Sequence, residues 1–282
     1  MWQQFDIRAG RCPSRRASMR PTLPLMDDAF FLPLGDDRWQ ATVHTTGPWD
    51  ERFQHAGPPS ALLGRAIERT EPRDDVLVAR VTVEILGPIP VAEVAISSRV
   101  VRPGRSVELV EAVLSAEGRD VARATAWRVR RTTSSPVAPQ QPGPPPLPDT
   151  GDDLGKGDWI DGYLSAIEWR FVRGHFTRPG PAAAWTRMLH PLVPDEEPSP
   201  LQRVLAVADS GNGISSELDL RHWHFINPEL TVHLHREAVG EWICLDASTA
   251  ISTGGAGLAT SVLSDLQGPV AVGAQTLLVA PR

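Results

Sequence analysis

The stretch Ser199–Gly213, SPLQRVLAVADSGNG, puts a carboxylate where one is costly to place. Ser199, Pro200 and Gln202 read as a helix start: a capping hydroxyl, a proline at the first helical position, and a capping-box partner at the third. Leu201, Val204, Leu205 and Ala208 recur at helical spacing and form one apolar stripe. Asp209, four residues after Leu205, lies on or beside that stripe, and Gly211 and Gly213 predict that the helix stops within a turn. A core-facing carboxylate needs hydrogen-bond partners. With them, it is a group that can take a proton from a reacting molecule. Spacing alone leaves the other reading open, an aspartate rotated to solvent.

Other residues invite the same question. Gln275 in VAVGAQTLLV shares a strand face with Ala271, Gly273 and Leu277, so its amide needs a partner, in a site or in the backbone. Asn227 precedes Pro228, as a turn residue or as a further hydrogen-bonding group. HAGPPS brings Gly57 to the mouth of a helix, where free backbone N–H groups and the helix dipole favour developing negative charge. A glycine needed only for a tight turn into the helix fits equally well. His55 beside it either lines a pocket or lies at the surface. His222 with His224, and His233 with His235, each share a strand face but lack a third ligand at a useful spacing, so no metal site is expected. TGGAG (253–257) lacks the ending of a phosphate loop, and no G-x-S-x-G nucleophile elbow occurs.

The elements that must carry these residues come in a fixed order. Trp39–Thr46 alternates as a strand, and Pro58 and Pro59 open a helix running to Thr70. Strand-like runs follow at Val76–Leu86, Glu93–Val101, Val107–Ser115 and Val121–Val129, separated by GPIP, RPGRS and AEGRD. PVAPQQPGPPPLP then interrupts the pattern as an extended linker. Beyond it the order repeats: strands at Tyr163–Phe176 and Ala182–Leu192, a helix at Ser199–Ser210, and four more strands. VTVEI (81–85) matches LTVHL (230–234) at a shift of 149 positions, and Leu114 with Leu263 and Val121 with Val270 keep that shift. The chain therefore divides into a disordered tail (1–27), a first copy (28–133), a linker (134–157) and a second copy (158–282).

Composition narrows the class. A net charge of −6 offers no basic field for nucleic acid, and Lys156 is the only lysine. No apolar run is long enough for a membrane helix, and the arginine-bearing first 25 residues lack the apolar region of a signal peptide. Cys12 and Cys244 make no disulfide framework, which predicts a reducing, cytoplasmic setting.

One helix followed by antiparallel strands, twice over, resembles the double hotdog acyl-CoA thioesterases of the thioesterase II type. The resemblance is carried most specifically by INPELTVHLHREAVGEWICLDASTAISTGGAGLATSVLSDLQGPVAVGAQTLLVAPR (226–282). In the first copy it is carried by HAGPPSALLGRAIER (55–69) and RPGRSVELVEAVLSAEGRDVARA (102–124). It implies an α+β tandem hotdog, each repeat a curved antiparallel sheet wrapped on a central helix, and a homo-oligomer, a dimer of double hotdogs. It also implies a water-activating site at Asp209, Asn227 and Gln275, the middle position being a threonine in the best-known branch of the family. The activity implied is hydrolysis of a fatty or related acyl-CoA without metal or cofactor. Gly57 would supply an oxyanion donor and His55 would line the pocket, while Arg102 and Arg105 at the RPGRS turn either meet the phosphates of coenzyme A or are solvated hairpin arginines. The rival reading is an acyl-CoA or acyl-carrier binding protein that kept the fold without the chemistry.

Overall fold

The computed structural model describes residues 28–132, 141–152, 154, 161–219 and 221–282. The expected tail lies outside them, as does part of the linker.

The first repeat runs β1 (Phe31–Gly35), β2 (Arg38–Ala41), a 3-10 turn (Val43–Thr45), α1 (Gly57–Arg69), β3 (Val76–Ile85), β4 (Glu93–Arg102), β5 (Val107–Ala116) and β6 (Arg119–Arg130). The second runs α2 (Tyr163–Ala166), β7 (Ile167–His175), β8 (Arg178–Met188), α3 (Pro200–Ala208), α4 (Gly211–Ile214), β9 (Trp223–Ile226), β10 (Glu229–Leu234), β11 (Ile243–Ile251), β12 (Ala256–Asp265) and β13 (Gly268–Pro281). All strands join one sheet in the order β1-β2-β4-β5-β6-β3-β10-β13-β12-β11-β8-β7, with β9 paired to β13. That order is palindromic about the β3–β10 pair, and each half wraps its own helix. This is the expected tandem hotdog.

The two central helices lie antiparallel because small residues let them approach. A Cβ built on Gly57 would come 2.2 Å from the Ala206 carbonyl oxygen, and one on Gly64 would come 2.6 Å from Leu205 Cδ1. At the other end the Glu68 carboxylate accepts from the Ser199 hydroxyl and the Gln202 amide. Leu62, Leu63, Leu201, Val204 and Leu205 thus share one core. Buried Arg128 closes the C-terminal end of α1, donating to the Thr70 carbonyl at 2.7 Å.

Several elements differ from expectation, each for a local reason. The strand from Trp39 stops at Ala41 because the Thr42 hydroxyl and carbonyl accept from His44 and Thr45 and wind the chain into the 3-10 turn. Tyr163–Ala166 is a helical turn, not the start of a strand; Gly162 at φ 110° enters it in a conformation that favours glycine. The final run contains five strands, since Pro228 has no N–H for the ladder and divides the counterpart of β3 into β9 and β10. Gly211 and Gly213 do not end the helical path. Asp209 caps α3, and the glycines form α4 immediately after it. The proline-rich residues 141–152 pack against the β7–β8 pair, the Pro145 and Pro148 carbonyls accepting from Trp185 and Arg170. They cover a sheet edge that would otherwise be open.

Candidate active site

Asp209 sits at the joint between α3 and α4, and the joint turns it inward: its side chain is 5% exposed. Two amides from neighbouring strands meet its Oδ1. Asn227, at the break between β9 and β10, donates through Nδ2 at 2.7 Å, and Gln275, on β13, through Nε2 at 3.2 Å. Gln275 is itself held at both ends, donating to the Asp209 carbonyl at 3.0 Å and accepting the Asn212 N–H at 3.0 Å. Gly211 leaves room for that amide, since a Cβ there would lie 2.9 Å from Gln275 Oε1. Of the two readings of Asp209, the structure selects the inward one.

The first repeat supplies the facing wall. His55 Nδ1 is 3.5 Å from Asp209 Oδ2 and accepts the Gly57 N–H at 3.1 Å. Burial holds the His55 imidazole below the ordinary histidine range, against a smaller upward pull from Asp209. Its ring lies flat on Tyr163, with centroids 3.9 Å apart and planes 8° apart. The Tyr163 hydroxyl bonds the Ala206 carbonyl at 2.9 Å and Ser210 Oγ at 2.8 Å, and burial pushes its pKa up. The structure therefore brings Asp209, Asn227, Gln275, His55 and Gly57 together. Sequence reasoning missed Tyr163, Ser210 and Asn212. Tyr163 is the only tyrosine in the chain, which was the one available signal.

One expectation needs correction. The mouth of α1 does not present several free N–H groups: Pro58 and Pro59 have none, Ser60 donates to Ala56, and Gly57 donates to His55. Arg102 and Arg105 lie at the turn between β4 and β5, away from the carboxylate. Arg102 donates to the Val107 carbonyl, and Arg73, just before β3, grips the Gly104 and Arg105 carbonyls. Asn227–Pro228 adjoins the other end of β3, where the Pro228 carbonyl accepts the Ile85 N–H. The ten residues of β3 separate the two places, roughly 30 Å at about 3.3 Å per residue.

Among the described residues the grouping with metal-capable ligand atoms is Asp28, His44 and His190. The two imidazoles stack 3.9 Å apart with planes 18° apart, so their in-plane lone pairs run side by side instead of converging.

The sequence matches the acyl-CoA thioesterase N-terminal domain over residues 45–129 and the acyl-CoA thioesterase C-terminal domain over residues 138–279. The chain belongs to the acyl-CoA thioesterase family. Both matches contain the residues of the site, His55 and Gly57 in one and Asp209, Asn227 and Gln275 in the other. Solved structures agree on the fold. A protein provisionally assigned as a thioesterase II from Thermobifida fusca YX superposes with a TM-score of 0.70 at 19% identity, covering 93% of this chain and 100% of that one. A conserved protein of unknown function with a hot dog fold from Alicyclobacillus acidocaldarius gives 0.70 at 17%, covering 92% and 98%. An acyl-CoA thioesterase II from Mycobacterium marinum gives 0.63 at 15%, covering 89% and 95%. No curated protein matches the sequence.

Proposed function

We propose that this member of the family hydrolyses acyl-CoA thioesters to the free acid and coenzyme A by direct attack of water. The observation that carries the reading is the buried Asp209 carboxylate with both amide donors on one oxygen. Asn227 and Gln275 fix Oδ1, which leaves Oδ2 to accept a proton. Water attacks the thioester carbonyl carbon as its proton passes to Oδ2. The tetrahedral oxyanion collapses, the carbon–sulfur bond breaks, and the proton returns to the departing thiolate.

The oxyanion needs a donor where its charge develops. Gly57 is the candidate, because its N–H donates to His55 Nδ1, which lies 3.5 Å from Asp209 Oδ2. In this reading the substrate carbonyl takes a share of that N–H from His55. The chemistry so written uses no metal or cofactor. Arg102 and Arg105 are left out of it, since they stand at the far end of β3.

Release of free coenzyme A from a panel of acyl-CoAs of differing chain length tests the reading. Steady release with at least one member is expected. Tight binding of acyl-CoA with no release would make the chain a binding protein on the same fold instead.

A further inference from the structure

His55 is the one side chain at ion-pair distance from Asp209 among the described residues, and the fold fixes its ring from several directions. Its backbone N–H donates to the Thr45 carbonyl at 2.8 Å, while the Tyr163 N–H donates to the next carbonyl, Thr46, at 2.9 Å. The same 3-10 turn thus aligns the two stacked rings. Tyr163 is anchored in turn by Ala206 and Ser210, which bracket Asp209. Small rotations of the imidazole are consequently resisted by the stack and by the helix joint together.

The direction of one hydrogen bond assigns the ring proton to one nitrogen. The Gly57 N–H points at Nδ1, so Nδ1 must offer its lone pair and the neutral ring keeps its hydrogen on Nε2. Nδ1 and Asp209 Oδ2 are then two acceptors facing each other at 3.5 Å, and neither occupies the other. Protonation reverses this. A hydrogen on Nδ1 would face the Gly57 hydrogen, so that bond is lost, and the ring becomes a charged donor whose nearest acceptor is Oδ2.

We propose that His55 is a positioning residue for Asp209: neutral, it keeps Gly57 in place and leaves the carboxylate open, and protonated, it closes the site by pairing with Oδ2. The inference rests on the hydrolytic reading for its effect on turnover but not for the ring chemistry. The titratable groups facing the ring are Asp209 from the α3–α4 joint and Tyr163 from α2. Tyr163 stays a neutral phenol because burial pushes its titration upward. Ser210, Asn227 and Gln275 do not titrate. Burial also holds His55 below the ordinary histidine value, so the closing transition falls on the acid side of neutrality.

Two measurements test it. In the unaltered full chain, nitrogen NMR of the imidazoles should show His55 with a bare Nδ1 near pH 8 and a titration below about 6.5. A hydrogen on Nδ1 at pH 8, or a titration at or above the ordinary value, overturns the proposal. The second measurement is the pH profile of coenzyme A release for His55→Asn, each profile normalised to its own maximum. Asparagine can accept the Gly57 N–H through Oδ1 but cannot be protonated, so the acid limb should move down by about half a pH unit or more. Superimposable acid limbs overturn the proposal. If His55→Asn does not fold, the NMR measurement still decides. If the unaltered chain releases no coenzyme A at any pH, the hydrolytic reading fails while the ring-nitrogen result stands on its own.

Discussion

Thr82 and Thr231 face each other directly across β3 and β10, their hydroxyls 3.2 Å apart, and they are separated by the 149 positions of the internal repeat. A local twofold axis therefore passes between them. The ladders keep the same shift on both sides: Val83 opposes Ala124 as Val232 opposes Gly273. Ala126 is thus the counterpart of Gln275. Leu77 opposes Val129 as Ile226 opposes Leu278, so Val78 is the counterpart of Asn227. Neither alanine nor valine has a side-chain hydrogen bond to give. In the proposed reading the two repeats divide the work, the second holding the carboxylate and its amides and the first contributing His55 and Gly57. One equivalent of a tight non-hydrolysable acyl-CoA analogue per chain should abolish turnover in a titration. An endpoint of two would mean a second working site.

Asp209→Asn keeps an oxygen for the Asn227 and Gln275 amides to donate to, and loses the capacity to take a proton. Turnover should fall on the order of 10²-fold or more, the range of a lost general base. The affinity for the non-hydrolysable analogue should change little, because the amide framework remains. Kinetics and calorimetry on the same preparations check both halves, and near-native turnover would remove Asp209 from the chemistry.

What the sequence disclosed and what it concealed divide along physical lines. The repeat was visible because alternation and turn spacing in VTVEI and LTVHL are local properties that survive divergence. Asp209 was visible because an acidic residue on an apolar stripe breaks a pattern. Gln275 stood out as a polar group on an apolar strand face, while Asn227 read equally as a turn residue before Pro228, and their assignment to one site came from the family resemblance. The helical turn at Tyr163 was not visible, since Tyr163 and Leu164 suit a buried strand as well as a buried turn and the choice is made by Gly162. How far the RPGRS turn lies from Asp209 was not legible, because a turn sequence says nothing about which end of the sheet it occupies. The contact between His55 and Asp209 joins residues from different repeats, and no spacing within either repeat encodes it.

Gly57→Ala is expected to harm both stability and turnover. The new methyl would meet the Ala206 carbonyl oxygen at 2.2 Å, a backbone atom that can move only if α3 moves. Displacing α3 also displaces Asp209 at its end. The cost should be about 1–3 kcal/mol, the usual range for overpacking a close contact. Gly64→Ala is the control on the same helix, because the atom its methyl would crowd is Leu205 Cδ1 at 2.6 Å, the end of a side chain and not backbone. Urea unfolding of the two variants should rank Gly57→Ala as clearly less stable. Equal midpoints would show that the helix crossing is looser than its geometry implies.

Acid sensitivity of the fold should trace to His44 as well as to the site. Its ring stacks on His190, with Asp28 2.6 Å from His190 Nδ1 and 3.7 Å from His44 Nε2. These side chains join the chain before β1 to the segment where Pro191 and Leu192 accept from Phe30 and Phe31. Burial, and then the neighbouring His190, hold His44 below the ordinary histidine value, against a smaller pull from Asp28. The sign follows from that direction. An unfolded histidine takes up its proton near pH 6.5, while the folded His44 takes it up only at lower pH. As pH falls through about 6.5 the unfolded state binds protons that the folded state refuses, and stability drops. Well above that value the group contributes no slope. His55 is shifted in the same direction and adds to the effect. Melting temperatures measured between about pH 8 and pH 5.5 should therefore decline less steeply for His44→Asn than for the unaltered chain. The double variant with His55→Asn should decline least. Parallel curves for all three would place the acid sensitivity elsewhere in the fold.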